Sequence, residues 1–224
     1  MHRSGTSCLT GSLQAAGLHL GKHHTWNRHN LKGNRENQDF VDFHDALLAD
    51  NKASWDQPPR KLFFSDEREQ QARALVRSFD NEPRWGFKDP RALLCLPLWN
   101  KVLPERDNIG IFRHPLAVTQ SLRKRDPSMS EAHCLSLWLA YNRELYKQYK
   151  KEPFPLLCFD WQEQQFHDRV NRVITLLDLK PLNEEQRFYS ASLHTHNEAD
   201  TKKLPWRVRH LYKKLQKVSS AFFE

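Results

Sequence analysis

At 224 residues the chain is long enough for one domain, or one domain with an insertion, around a sizeable core. A mean hydropathy of −0.80 marks it as polar, but 13 Phe and 7 Trp argue against disorder. The 35 Lys and Arg against 27 Asp and Glu leave a net charge of +8, which excludes an acidic chain and suits an anionic partner, small ligand or nucleic acid alike.

Residues 6–16 read as a helix with Leu9, Leu13 and Ala16 on one face and Gly17 as its stop. A polar stretch rich in His and Asn follows over 18–36 and reads as a loop. The segment "NQDFVDFHDALLAD" (37–50) has a helical stripe of Phe40, Phe43, Leu47 and Leu48. "SWDQPPRK" breaks the pattern, and a charged helix is expected at 66–79. "RWGFKDPR" reads as a short strand running into a polar turn, with a helix over 92–103.

"NIGIFRHP" is the next strand, and Pro115 opens a helix to about Leu122. "SEAHCLSLWLAYNRELYKQYK" is a long amphipathic helix, and "FPLLCFDW" is a buried strand. A helix with Phe166, Val170, Val173, Ile174 and Leu177 on its apolar face comes after it. The tail from Pro205 is a basic amphipathic helix with Leu204, Val208, Leu211 and Leu215 as its inner stripe. Strands alternate with helices, so the expected class is α/β with a parallel sheet in a single domain, 1–224. Ligands bind such sheets at the carboxyl ends of the strands. Lys88, Asp89, Arg91, Arg113, His114, Asp160 and Trp161 fall there.

Cys8, Cys95, Cys134 and Cys158 form no C-x-x-C pair and stand among apolar neighbours, as buried reduced thiols do. No apolar run approaches the roughly 18 residues of a membrane span, and no signal peptide is visible; a cytoplasmic location is expected.

The opening stretch "HRSGTS" has the composition of an anion site. Helix-start amides point outward unpartnered, Gly5 permits close backbone approach, Thr6 and Ser7 offer hydroxyls, and Arg3 supplies a cationic fork. It is not the nucleoside-triphosphate loop G-x-x-x-x-G-K-[ST], because Thr6 follows the glycine and no earlier glycine exists. In "IFRHPLAVTQSL", Arg113 ends a strand and Ser121 lies about two helical turns on, suited to a second phosphate. Lys88 in "FKDPR" could reach the first anion.

These motifs together resemble the sulfotransferases that use 3′-phosphoadenosine 5′-phosphosulfate (PAPS). "HRSGTS" is similar to the family's 5′-phosphosulfate loop and "FRHPLAVTQSL" to its 3′-phosphate motif. "KDPR", "ENQDFVDFHDALL" and "WLAYNREL" resemble the bacterial branch, and the resemblance runs from His2 to about Tyr212. It implies a three-layer α/β/α, P-loop-like sulfotransferase fold. Arg3, Ser4, Gly5, Thr6 and Ser7 would hold the 5′-phosphosulfate, Arg113 and Ser121 the 3′-phosphate, and Lys88 would be a second cation. The sulfuryl group would pass to a hydroxyl or amine of a glycan, lipid or small metabolite, without a metal. Glu36 and His44 are the candidate bases, each with a plainer alternative: Glu36 as a capping carboxylate, His44 as a hydrogen-bonded core residue. Asp45 reads as a surface charge, and Asp89 as the group that orients Lys88 or Arg91.

The family places a short apolar strand before the loop. Here Met1 stands one residue before His2, and the expectation is that the true start lies upstream. His19, His23, His24 and His29 read as a polar loop near the acceptor, since their spacing fits no standard metal set. Lys202 and Lys203 fall where related enzymes cover the nucleotide. Two rivals stand beside the sulfotransferase: a small-molecule kinase, and a nucleotide- or nucleic-acid-binding protein on a degenerate fold that uses Trp206, Arg207, Arg209 and Lys213. The preferred reading takes those cations as a solvated helix face and expects no nucleic acid, and it leaves a homodimer open.

Overall fold

A computed structural model describes residues 1–25, 33–183 and 204–224. The chain is mixed α/β and mostly helical. It divides into two compact units, the first made of Met1–Ala16 with Asp107–Glu224, the second of Gly17–Arg106. The second is thus a continuous insertion after the first helix, where the sequence reading takes 1–224 as one domain.

In the first unit, α1 (Thr6–Ala15) starts behind Gly5, whose φ of +88° is left-handed and favours glycine. Gly17, at φ +106°, takes the chain out of α1. Strand β1 (Gly110–Phe112) pairs in parallel with β2 (Leu156–Cys158), in the register Gly110 to Leu156, Ile111 to Leu157 and Phe112 to Cys158. A parallel pair needs a long crossover. Here that is α5 (Pro115–Arg125) followed by α6 (Glu131–Lys151). Pro115 occupies the first turn of α5, where its missing N–H costs nothing. Ser130 caps α6 by accepting from the His133 amide at 3.1 Å.

Helix α7 (Glu163–Leu176) packs on β2 and α1, and α8 (Trp206–Phe223) on β2 and α6. The inner stripe expected for the tail is buried at all four positions, Leu204, Val208, Leu211 and Leu215, while Arg207 and Lys213 are exposed. Trp138 of α6 is fully buried and donates its indole N–H to the Arg113 carbonyl at 2.9 Å, which ties the crossover to the end of β1.

The second unit holds α2 (Gln38–Asp50), α3 (Asp66–Arg77) and α4 (Leu96–Val102), with a short 3-10 turn at Pro90–Leu93. Asn37 caps α2 through the Asp39 amide, and Ser65 caps α3 through that of Arg68. The core is aromatic. Phe40, Phe43, Leu47 and Leu48 of α2 meet Phe79, Leu98 and Trp99. Phe40 stacks on Phe87 with ring centres 4.2 Å apart, and Phe79 on Trp85 at 4.6 Å.

The strand expected in "RWGFKDPR" is not formed. Trp85 makes one isolated parallel bridge, with His19, held by the His19 amide on the Arg84 carbonyl and the Gly86 amide on the His19 carbonyl. The residues that looked like a strand are apolar because Trp85 and Phe87 are stacking partners in the aromatic core. Among the described residues the one sheet is therefore the β1–β2 pair, not a larger central sheet. The cysteines are all free; Cys95, Cys134 and Cys158 are buried and Cys8 is half-buried. No described helix is long and apolar enough to cross a membrane.

Candidate functional site: a cationic cluster and a buried ion-pair cluster

The first unit brings the two phosphate-type motifs to one place. Arg3 donates from Nε to the Ser121 hydroxyl at 2.8 Å, across a separation of 118 residues. Arg3 itself has a left-handed backbone, φ +64°, uncommon for a residue with a side chain. Burial pushes the Arg3 guanidinium down from its ordinary value, and the like charges of Arg125 and Arg113 push it further. Two guanidinium groups thus act on the half-buried Arg3, and an anion beside it would relieve the repulsion.

The start of α1 adds to the cluster. No side chain caps this helix and no acid lies in its first turn, so the positive end of its dipole is uncompensated by the helix itself. Thr6 and Ser7 are its first two residues, both half-buried. Ser4 is fully buried, and its hydroxyl has no protein hydrogen-bond partner. Gly5 is required for a reason the sequence did not show. A Cβ there would stand 2.3 Å from the Phe159 ring, so the glycine admits Phe159 as well as a tight turn.

Arg113 is oriented by its strand neighbour. The parallel register carries on past Phe112 and Cys158, where the Phe159 amide donates to the Phe112 carbonyl at 2.8 Å. The Arg113 guanidinium lies over the Phe159 ring at 5.3 Å, with Nε 3.7 Å from Asp160 Oδ1. The His114 amide donates to Asp160 Oδ2 at 2.5 Å, and the Tyr212 hydroxyl lies 3.5 Å from the same oxygen. His114 Nδ1 accepts the Leu116 amide at 3.3 Å, which leaves the proton on Nε2, buried and without a protein partner. Burial and the Arg113 cation both push the His114 imidazole down from its ordinary value.

The second unit gathers Glu36, Lys88, His44 and Asp89, all nearly or fully buried. Lys88 Nζ donates to Glu36 Oε1 at 2.7 Å, and Asn34 donates to the other Glu36 oxygen at 2.7 Å. Burial pushes the Lys88 ammonium down from its ordinary value, and the Glu36 carboxylate offsets part of that. Glu36 therefore does not serve α2 as a capping carboxylate; Asn37 has that role.

His44 has its whole hydrogen-bonding capacity occupied. Nδ1 lies 2.8 Å from Asp89 Oδ2, and the Trp99 indole, which can only donate, points at Nε2 at 2.8 Å. The ring is therefore neutral with its proton on Nδ1. It is 0% exposed, and neither nitrogen is left for a substrate proton, so the sequence-based candidate base is corrected to a core histidine. Asp89 orients Arg91 and His44 rather than Lys88: Oδ1 accepts the Arg91 side chain at 3.0 Å and its amide at 2.9 Å. Burial alone would raise the Asp89 carboxyl. The His44 hydrogen bond and the Arg91 cation outweigh it and hold the group below the usual carboxylate range. Asp45 pairs with Arg91 at 2.6 Å.

Sequence reasoning did not assign Arg125, Asn34 or Trp99, and it placed Asp160 at a strand end without giving it a role. Arg125 had a signal: it lies four residues after Ser121 on the same helix face. Asp160 had one in its position two residues beyond β2. Asn34 and Trp99 had none, because their contacts span loops and distant sequence. Of the histidine-rich stretch, His23 contacts the Gly21 carbonyl, His24 contacts Gln38 and His19 lies 3.6 Å from Glu82. His29, Lys202 and Lys203 lie outside the described residues. Among the described residues no three His, Cys, Asp or Glu side chains form a metal-ligand group. Comparison with family models, curated proteins and solved structures finds no match to this chain.

Proposed function

We propose that the protein is a sulfotransferase that takes its sulfuryl group from PAPS. The observation that carries the reading is the Arg3–Ser121 hydrogen bond, which joins the Gly-Thr-Ser loop to α5, the helix that follows Arg113, within the first unit. A kinase would need a loop lysine and a magnesium-binding acid; this loop carries Arg3 before its glycine instead, and the acid of the cluster, Asp160, is engaged by Arg113 and the His114 amide.

The residues fit a ligand with two separate phosphate-type groups. The amides at the start of α1, the Ser4 hydroxyl and Arg3 suit a 5′-phosphosulfate. Arg113, set by Asp160 and Phe159, suits a 3′-phosphate together with Ser121, and Arg125 adds charge nearby. Bound between them, the donor would replace the Arg3–Ser121 bond with charge-assisted bonds to its own oxygens, which are stronger. In transfer, an acceptor hydroxyl or amine attacks sulfur, the S–O bond to the 5′-phosphate breaks, and charge grows on the leaving phosphate. Arg3 and the loop amides are suited to stabilise that charge.

The same reading takes β1 and β2 as part of a three-layer α/β/α, P-loop-like fold. Glu36 as base and Lys88 as second cation rest on the resemblance, supported by their shared ion pair. Glycans, lipids and small metabolites are the acceptor classes.

Calorimetric titration with adenosine 3′,5′-bisphosphate tests the donor site. The bisphosphate should bind and ADP should bind at least tenfold more weakly. Arg113→Ala and Ser121→Ala should each weaken the bisphosphate, the first by about tenfold or more, the usual scale for a charged hydrogen bond. Equal binding of ADP, or an unchanged Arg113→Ala, would remove the reading. Once an acceptor is found, Glu36→Gln should abolish transfer from PAPS with bisphosphate affinity intact.

A further inference from the structure

Helix α5 has a second face. Ser121 and Arg125 lie on one side. Leu116, Thr119 and Arg123 lie on the opposite side, about 140–160° from Ser121 at about 100° per residue, and Gln120 and Lys124 flank that side. That side lines a cleft of about 560 Å³, completed by Pro127 in the turn before α6 and by Glu131 in the first turn of α6. The volume is in the range that holds small ligands.

The polar groups of this cleft lack partners in the protein. Thr119 is 2% exposed, and its hydroxyl makes no hydrogen bond, although a helical threonine can ordinarily bond back to its own helix. Arg123 and Lys124 are exposed, and no described carboxylate lies within 4 Å of either. The nearest acid in sequence, Asp126, is turned onto Ser128, taking its amide at 3.0 Å and its hydroxyl at 2.6 Å. The two cations are in the last turn of α5, where the helix dipole favours them. The dipole accounts for their charge, but not for a buried hydroxyl without a protein partner on the same helix.

We propose that this cleft is a binding site for an acidic saccharide. The charge pattern selects that chemistry. Arg123 and Lys124 call for an anion. Glu131 would repel a bare anion but accepts hydrogen bonds from hydroxyl groups. Thr119 and Gln120 can both donate and accept. Leu116 and Pro127 offer apolar contact for the C–H face of a ring. One molecule that carries an anionic group, several hydroxyls and an apolar ring face is a uronate, or a sugar bearing a sulfate or phosphate ester. The site is on the far side of α5 from Arg3 and Ser121 and does not depend on the donor reading.

Amide resonances of the full chain, followed in a titration, test the proposal. The probes are methyl glucuronide, glucose 6-sulfate, glucose 6-phosphate, neutral methyl glucoside, inorganic sulfate and a short single-stranded oligonucleotide. At least one acidic sugar should shift resonances within 116–131, at least tenfold more tightly than the neutral glucoside or inorganic sulfate. Whichever acidic sugar binds best identifies the anion as carboxylate, sulfate or phosphate. Arg123→Ala/Lys124→Ala should lose about tenfold or more, and the near-isosteric Thr119→Val about fivefold. Both variants should keep wild-type affinity for adenosine 3′,5′-bisphosphate if that ligand binds at all, so failure of one site is separable from failure of the other. Sulfate binding as tightly as any sugar, an oligonucleotide outcompeting them all, or an unchanged double variant would each overturn the saccharide site.

Discussion

Individual residues in this chain are constrained by different forces. Gly5 is held by sterics: a side chain there meets the Phe159 ring at 2.3 Å, on a backbone already at φ +88°. Gly5→Ala should therefore destabilise the protein by about 1–3 kcal/mol, from strain in both backbone and packing. Chemical denaturation would read it, and a Phe159→Ala partner should recover the packing part but not the backbone part. Asp89 is held by charge and hydrogen bonds. Its folded carboxyl lies below the unfolded value of about 3.8, so its contribution is complete above that value and is lost as pH falls through the lower folded one. Asp89→Asn should lower stability at neutral pH and flatten the loss between about pH 5 and pH 2. Trp99 emission would follow this, because its indole donates to the His44 ring that Asp89 holds.

Elements were legible where one physical rule dominates, and not where distant contacts decide. The stripe of α2, the Pro-led start of α5 and the serine-capped α6 all follow from periodicity and capping, so their ends fall within a few residues of expectation. The segment 84–87 was misread because alternation and bulk are the same signal in a strand and in an aromatic core. Only the stacking of Trp85 and Phe87 on partners from elsewhere in the unit distinguishes them. Of the candidate site, Arg113 and Ser121 stand out in the sequence by their spacing and Arg3 by its place before the helix start. That Arg3 bonds to Ser121 was not legible there, because it depends on how α5 meets α1. The role of His44 was hidden for the same reason, since Trp99 is 55 residues away. At this scale the crossover carries a prediction. Trp138 of α6 holds the carbonyl of Arg113, and Trp138→Phe keeps most of the volume while leaving that buried carbonyl without its donor. The cost should be about 1–3 kcal/mol. If Arg113 binds phosphate, adenosine 3′,5′-bisphosphate affinity should also fall, and calorimetry on the folded variant would separate the two effects.

At the scale of the molecule, the insertion of 17–106 sets up a chain with two cores. The first mixes aliphatic and aromatic side chains around β1 and β2, with Ile111, Phe112, Leu156, Leu157, Trp138 and Phe166 buried. The second is an aromatic stack centred on Phe40, Phe87 and Trp99. Each closes on its own residues, and a local core is what allows a segment to open as its own cooperative unit. Phe40 is 1% exposed, and Phe40→Ala removes a ring from the centre of the second core. The expected cost is about 3–5 kcal/mol, charged to that unit. Hydrogen exchange should then accelerate through 38–102 while protection in β1, α6 and β2 stays near wild type. A loss of protection spread evenly over both segments would mean that the chain unfolds as one cooperative body despite its two cores. The same variant bears on the donor site, whose phosphate-type groups all belong to the first unit. Bisphosphate affinity should survive Phe40→Ala at temperatures where the second unit has already lost its protection.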